Sequence, residues 1–244
     1  MNLHRCIHKA NTARHVCTIA IAASCAFLIA GGTACPRGAY NPIIVPALFT
    51  CTIDNPYFPL VPGTSLSYEA DTPDGFEKVE TTVTHDTKTI LGVTCVVVHD
   101  VARLDGEIIE DTIDWYAQDR FGNVWYFGEF STTYDHGTPT GTKGSWEAGV
   151  DGAKPGVVME ACPRVGDTYR QEYLAGVAED MADVLAIDTA ASVPYGDFDR
   201  CVKTRDYTPL EPGVNEYKFY APGIGLVLTK EDGVRVELVD INVE

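Results

Sequence analysis

Three histidines follow residue 35, and each has an aspartate beside it: His85 with Asp86, His99 with Asp100, and His136 with Asp135. Such pairs are where general-base or nucleophile-activating chemistry usually begins, because the carboxylate orients the imidazole and stabilises its charged form. Immediate neighbours in a strand point to opposite faces, so His85-Asp86 and His99-Asp100 cannot serve as dyads. No G-x-S-x-G, H-E-x-x-H or C-x-x-C motif follows the leader. The 35 acidic residues make carboxylate pairs abundant and none of them specific. "DTPDG" (71–75) and "DGEIIEDTID" (105–114) gather hard oxygen ligands suited to calcium, but neither has EF-hand spacing, and turns are rich in Asp and Gly for conformational reasons. No catalytic residue, metal or cofactor is therefore assigned. The remaining candidates lie in the Gly- and Pro-rich stretch 131–162, a long connection of the kind that carries function. There Trp146 offers a platform and Glu147, Asp151 and Lys154 offer polar contacts, with Trp125 and Tyr126 at the base. These six are the candidate ligand-binding residues.

The leader places the chain outside the cytoplasm. Arg5, Lys9 and Arg14 precede an apolar run from Val16 to Ala30, too short to span a bilayer comfortably, and "GGTACPRG" follows. Residues 1–34 read as a signal peptide. Thr33-Ala34 directly before Cys35 is similar to a lipoprotein signal, so Cys35 is a candidate for diacylation, and plain cleavage near Ala34 is the alternative. Without the leader the formal charge is 15 minus 35, or −20. Such a surface repels phosphate backbones, which excludes nucleic acid as a partner. Four further cysteines, Cys51, Cys95, Cys162 and Cys201, are even in number and sit in an oxidising compartment, making them disulfide candidates. Pairing like with like would join Cys51 to Cys162 and Cys95 to Cys201; buried free thiols are the alternative for the second pair.

Two stretches echo each other: "DWYAQDRFGNVWYF" (114–127) and "EYKFYAPGIGLVLT" (216–229). Tyr116-Ala117 aligns with Tyr220-Ala221, Val124 with Val227, Cys95 and Asp100 with Cys201 and Asp206, and Gly63 with Gly166. The spacing predicts two copies of one β unit, about 63–124 and 166–227, joined by a loop over 125–162. Segments such as "SLSYEA", "KVETTVTHD" and "TCVVVHDV" are β-branched, partly alternating and bounded by turn formers. "AGVAEDMADVLAID" (175–188) has helical propensity, but its place in the repeat predicts a strand. The expected architecture is mainly β: an antiparallel curved sheet, half-barrel or barrel, forming one domain over 57–244 after a linker at 35–56.

"PGTSLSYE" (62–69), opening a sheet, and "FYAPGIGLV" (219–227), closing one, resemble a broad set of secreted or lipid-anchored bacterial proteins of uncharacterised function. The resemblance extends from "DNPYFPLVPG" through most of the remaining chain. At the level of fold, the repeated curved sheet is similar to the half-barrel of periplasmic lipoprotein carriers of the LolA and LppX kind, which implies a concave side lined by apolar groups. The expected function is a non-enzymatic, exported binding module for an apolar small molecule, a lipid or an envelope partner, with membrane anchoring through Cys35. An extracytoplasmic hydrolase or isomerase using Glu147 or Asp151, and an adhesive surface protein, are the competing expectations.

Overall fold

The computed structural model describes residues 40–244, so the signal segment and Cys35 lie outside the described residues. Four long strands follow a short one: β1 (Phe49–Thr50), β2 (Thr64–Thr72), β3 (Gly75–Ile90), β4 (Val93–Leu104) and β5 (Glu107–Asp119). Then come β6 (Val124–Asp135), the short β7 (Thr138–Gly141) and β8 (Trp146–Glu147), β9 (Lys154–Met159), β10 (Thr168–Arg170) and β11 (Glu172–Tyr173). The chain ends in β12 (Met181–Val193), β13 (Gly196–Tyr207), β14 (Glu216–Ala221), β15 (Gly225–Glu231) and β16 (Val234–Val243). All pair antiparallel: thirteen follow the order β10-β12-β13-β14-β15-β16-β2-β3-β4-β5-β6-β9-β11, while β1 pairs with β5, and β7 and β8 pair with β6. Consecutive strands joined by tight turns give this meander directly, as the Gly- and Asp-rich turns predict.

The order begins at β10 and ends at β11, and these are separated by one residue, Gln171. A single short segment thus pairs with β12 through its first half and with β9 through its second, bringing the sheet almost round into a barrel. The seam is tight at Gly156 of β9, where an added Cβ would lie 2.4 Å from the Arg170 carbonyl oxygen. Gly128 of β6 is constrained similarly by the crossing of β8: φ is +139° and a Cβ would meet the Trp146 carbonyl at 2.4 Å.

One barrel end is stoppered by residues 51–62. Phe58 lies between Tyr116 and Tyr220, with ring centroids 5.4 and 6.3 Å away, and Ile53 and Leu60 are buried beside it. The buried Asn55 side chain donates to the carbonyls of Gly122 and Glu160, and Gln118 takes the amides of Asp54 and Asn55. Part of the stretch expected as a linker is therefore built into the barrel.

The two echoing stretches share a register. Gly63 N–H donates to Val83 O and Gly166 N–H to Val184 O. Val83 pairs with Val98 and Val184 with Thr204; Val98 pairs with Asp114 and Thr204 with Lys218. Further along, Val96 pairs with Tyr116 and Val202 with Tyr220, and both hairpins bulge at the next step, between Trp115 and Tyr116 and between Phe219 and Tyr220. The bulge places Val227 in register with Phe127, three residues from the Val124 that the sequence alignment pairs with it, because the β5–β6 hairpin is the longer. β12 is a strand despite its helical composition: Ala182 and Val184 enter the core, while Leu185 and Ile187, which give it helix-like apolar spacing, stay exposed. Cys51, Cys95, Cys162 and Cys201 are all free thiols. Cys95 and Cys201 are fully buried on β4 and β13, six places apart in the sheet, and burial pushes the Cys95 thiol up to about 12.

Two outcomes test this architecture. Phe58→Ala should cost about 3–5 kcal/mol in chemical denaturation, the scale for removing a buried aromatic ring, with loss of amide protection in both Tyr-Ala hairpins. Gly156→Ala should destabilise by about 1–3 kcal/mol, with faster hydrogen exchange confined first to β9, β10 and β11.

Candidate functional site

Alternation decides which side chains the barrel encloses. Near the stopper the inward positions are apolar or aromatic: Val96, Val98, Tyr116, Tyr126, Val202 and Tyr220. Tyr116 and Tyr126 stack at 4.8 Å, and Tyr126 meets Trp146 edge-on at 5.3 Å. Stepping by two along the same strands away from the stopper, the lining turns acidic. Eight inward carboxyl side chains are at least nine-tenths buried: Glu77 on β3, Glu110 and Asp114 on β5, Glu129 on β6, Glu172 on β11, Asp206 on β13, Glu216 on β14 and Glu231 on β15. Asp100 on β4 joins them. Asp119, also buried, serves the β5–β6 turn instead, accepting from the amides of Phe121 and Asn123 and from Trp125 Nε1. Lys218 is the only buried cation among the described residues.

Burying an ionised carboxyl without a counter-charge is expensive, so such groups either acquire a cation or keep a proton. Both solutions occur here. In the second half, Lys218 Nζ lies 3.0 Å from Asp206 and 3.0 Å from Glu216. Burial alone would lower the lysine's pKa, but the two carboxylates outweigh it and hold the ammonium charged. Asp206 is further satisfied by Thr204 at 2.6 Å and Gln171 at 3.1 Å.

Among the described residues of the first half no lysine or arginine is buried. Asp100 and Asp114, diagonal neighbours on β4 and β5, are in carboxyl–carboxyl contact. Asp114 also takes the Tyr126 hydroxyl, which lies 3.2 Å from Glu129 as well. Burial, then the neighbouring Asp100, pushes Asp114 up to about 7, and burial likewise raises Asp100. Glu77 is pushed up to about 7 by burial and by Glu110. Asp100 is also hydrogen-bonded to Thr81, whereas Glu77 Oε1 is buried with no hydrogen bond from any described residue. This acidic lining departs from the apolar concave side that the half-barrel resemblance implies.

Of the six residues singled out in the sequence, the structure brings Tyr126 and Trp146 together inside the barrel, where Trp146 Nε1 donates to Glu172 at 2.8 Å. Trp125 faces outward and packs on Phe49. Glu147 is half-buried and ion-paired to Lys88 at 2.7 Å, Asp151 is exposed in a turn with φ +51°, and Lys154 donates to the Tyr40 carbonyl at 2.6 Å. These four do not converge. His99 pairs with Asp111 across β4 and β5 at 2.9 Å on the outer face, away from Asp100. Asp105, in one of the candidate calcium segments, accepts the Phe76 amide and so serves its turn. Among the described residues no group of three or more His, Cys, Asp or Glu is arranged to hold a metal ion.

No protein-family model and no curated protein sequence matches the chain. Two solved structures do. The chain is similar to a "putative exported protein with YmcC-like fold" from Bacteroides fragilis at 17% identity and a TM-score of 0.45, covering 76% of this chain and 98% of that one. It is similar to a "putative lipoprotein" from Parabacteroides distasonis at 14% identity and a TM-score of 0.41, covering 79% of this chain and 100% of that one.

Proposed function

We propose that the protein is an exported, non-enzymatic binding module whose barrel interior holds a small guest that joins an apolar body to a cationic group. The single observation that carries this reading is the acidic lining: among the described residues, eight buried carboxyls and one buried ammonium face the interior. Val83, Val98, Tyr116 and Tyr126 supply the apolar wall next to the acid, and the stopper at Phe58 closes the end behind it. The charged leader and apolar run support the exported compartment, and Cys35 supplies a membrane anchor if it is acylated. The shared register of the two halves supports their origin as a duplicated unit. One alternative has a specific observation behind it: Asp114, titrating near 7 and hydrogen-bonded to Tyr126, is poised as the general acid of a hydrolase or isomerase. Turnover of the guest would separate that reading from simple retention.

Native mass spectrometry of the protein isolated from the exported fraction of its host should show one retained small molecule per chain. A chain that carries none, and takes up none from an extract of the host envelope, removes the reading.

The interior charge also dictates a pH dependence. Glu77 and Asp114 titrate near 7 in the folded protein, above their ordinary values of 4.5 and 3.8, so in that interval the folded state binds more protons than the unfolded one. Their contribution is complete at acid pH and is lost as pH rises through 7. The urea midpoint should therefore fall between about pH 5 and about pH 8, and Glu77→Gln should flatten the fall. A midpoint that rises over that interval contradicts the assignment.

A further inference from the structure

Tyr40, the first described residue, is clamped to the barrel seam. Its hydroxyl donates to the Pro155 carbonyl at 2.8 Å, and Lys154 Nζ donates to the Tyr40 carbonyl at 2.6 Å. The Arg170 guanidinium lies 5.5 Å from the Tyr40 ring and 4.9 Å from that of Tyr173, and the two rings meet edge-on at 5.9 Å. Residues of β9, β10 and β11 thus hold Tyr40, and only residues 36–39 separate it from Cys35. Five Cα steps of about 3.3–3.6 Å reach at most about 18 Å.

Beyond Tyr40 the chain crosses an exposed apolar cluster. Ile43 is 86% exposed, and Val45 is exposed two residues on. Pro46 lies against the β3–β4 turn, where a Cβ added at Gly92 would meet Pro46 Cγ at 3.1 Å. Leu91 of that turn lies in its own right against the turn at 149–152, where a Cβ added at Gly149 would meet Leu91 Cδ2 at 2.5 Å. Leu91 and Val150 are both exposed, so three segments gather large apolar side chains beside the tether. Leu91 has φ +50°, a left-handed turn position that Asn, Asp or Gly fills at lower cost. The other non-Gly residues with positive φ among the described residues are all polar or charged, so leucine at this tip is the exception.

Resting on the membrane anchoring through Cys35 proposed above, we propose that Ile43, Val45, Leu91 and Val150 form a docking face that seats the anchored barrel on the bilayer holding its anchor. Acyl chains on Cys35 keep the bilayer surface within about 18 Å of Tyr40, because the connecting residues cannot span more. The clamp on Tyr40 denies the barrel the free rotation that a looser attachment would allow. One side of the molecule must therefore face the lipid, and on that side these apolar groups are exposed. Apolar side chains of a docked surface enter the boundary between headgroups and acyl chains by about 5–10 Å. The anchor makes this contact intramolecular in effect, so a patch too small to hold a free protein on a membrane suffices here. Asp151, exposed beside Val150, and the net negative charge of the chain favour a zwitterionic surface over an anionic one.

The test uses the anchored protein from its host membrane, reconstituted into phosphatidylcholine vesicles whose acyl chains carry bromine close to the headgroup. Tryptophan is introduced in separate variants at two sites on the face, Ile43→Trp and Val150→Trp, and at one site beside the β2–β3 turn at the far barrel end, Phe76→Trp. Brominated lipid should quench most of the emission added by the first two and none of that added by the third. Leu91→Asp, combined with Ile43→Trp, should restore most of the lost emission while the protein stays on the vesicles. Hydrogen exchange of the unsubstituted protein gives an independent reading should a tryptophan variant fail to fold. Amides over 42–46 and 149–152 should exchange more slowly on vesicles than in the unanchored Cys35→Ala chain, and those over 73–76 at the same rate. Equal quenching at all three sites, or no quenching at 43 and 150 with no difference in exchange, overturns the docking face and leaves the anchor intact. Dimers of the Cys35→Ala chain that Leu91→Asp dissociates overturn it too, since the face then belongs to a second copy. A mature mass without acyl chains removes the anchor, and the docking face with it.

Discussion

Everything in this molecule follows from a sheet that comes round on itself. Gln171 separates two short strands, one hydrogen-bonded to each end of the meander, and once the seam at Gly156 is closed every strand is committed to an inside and an outside. With a side-chain period of two, closure forces alternate residues inward whatever their chemistry. An open sheet could turn its acidic face to water; a closed one cannot. The interior must therefore reconcile itself to the residues that the strand phase delivers.

That phase is set by the apolar and aromatic residues near the stopper, whose burial dominates the energetics. Tyr116, Tyr126, Tyr220 and Phe58 pack as a unit, and removing their area from water is worth several kcal/mol. A strand that slipped by one residue to put Asp114 or Glu216 outside would carry Tyr116 or Tyr220 out with it. The carboxyls are held inside by the aromatic rings two and four residues away, and the cost of their burial is met by protonation, by Lys218, and by hydroxyl donors such as Thr204 and Tyr126.

The strands and their order were largely legible, because β-branched runs, Asp-Gly turns and the doubled Tyr-Ala hairpin are local signals. β12 was readable against its own propensity only because its position opposite β3 outweighed a helical composition. The acidic interior was not read. Interleaving of acid with Tyr, Val and Trp looks the same whether the acid lies on a solvated face or an enclosed one, and composition cannot tell the two apart. A signal was nevertheless present: counting back from Tyr116 in steps of two gives Asp114, Thr112 and Glu110, and from Tyr220 gives Lys218 and Glu216. Had the rings been taken as the inward reference, the carboxyls would have followed. The loop residues Glu147, Asp151 and Lys154 drew notice because a long connection is a reasonable place for function, yet their partners are Lys88, solvent and the Tyr40 carbonyl.

The unequal treatment of the two halves is the most informative consequence. A tethered ammonium at position 218 rigidifies its side of the barrel, because the lysine stem is packed and its charge is matched by Asp206 and Glu216. An aspartate at the equivalent position 114 gives up that stabilisation and leaves two carboxyls contending for one proton. The same strand phase thus delivers a charged triad to one half and a carboxyl pair with raised pKa to the other, and the pH dependence of stability belongs to the carboxyls of the first half.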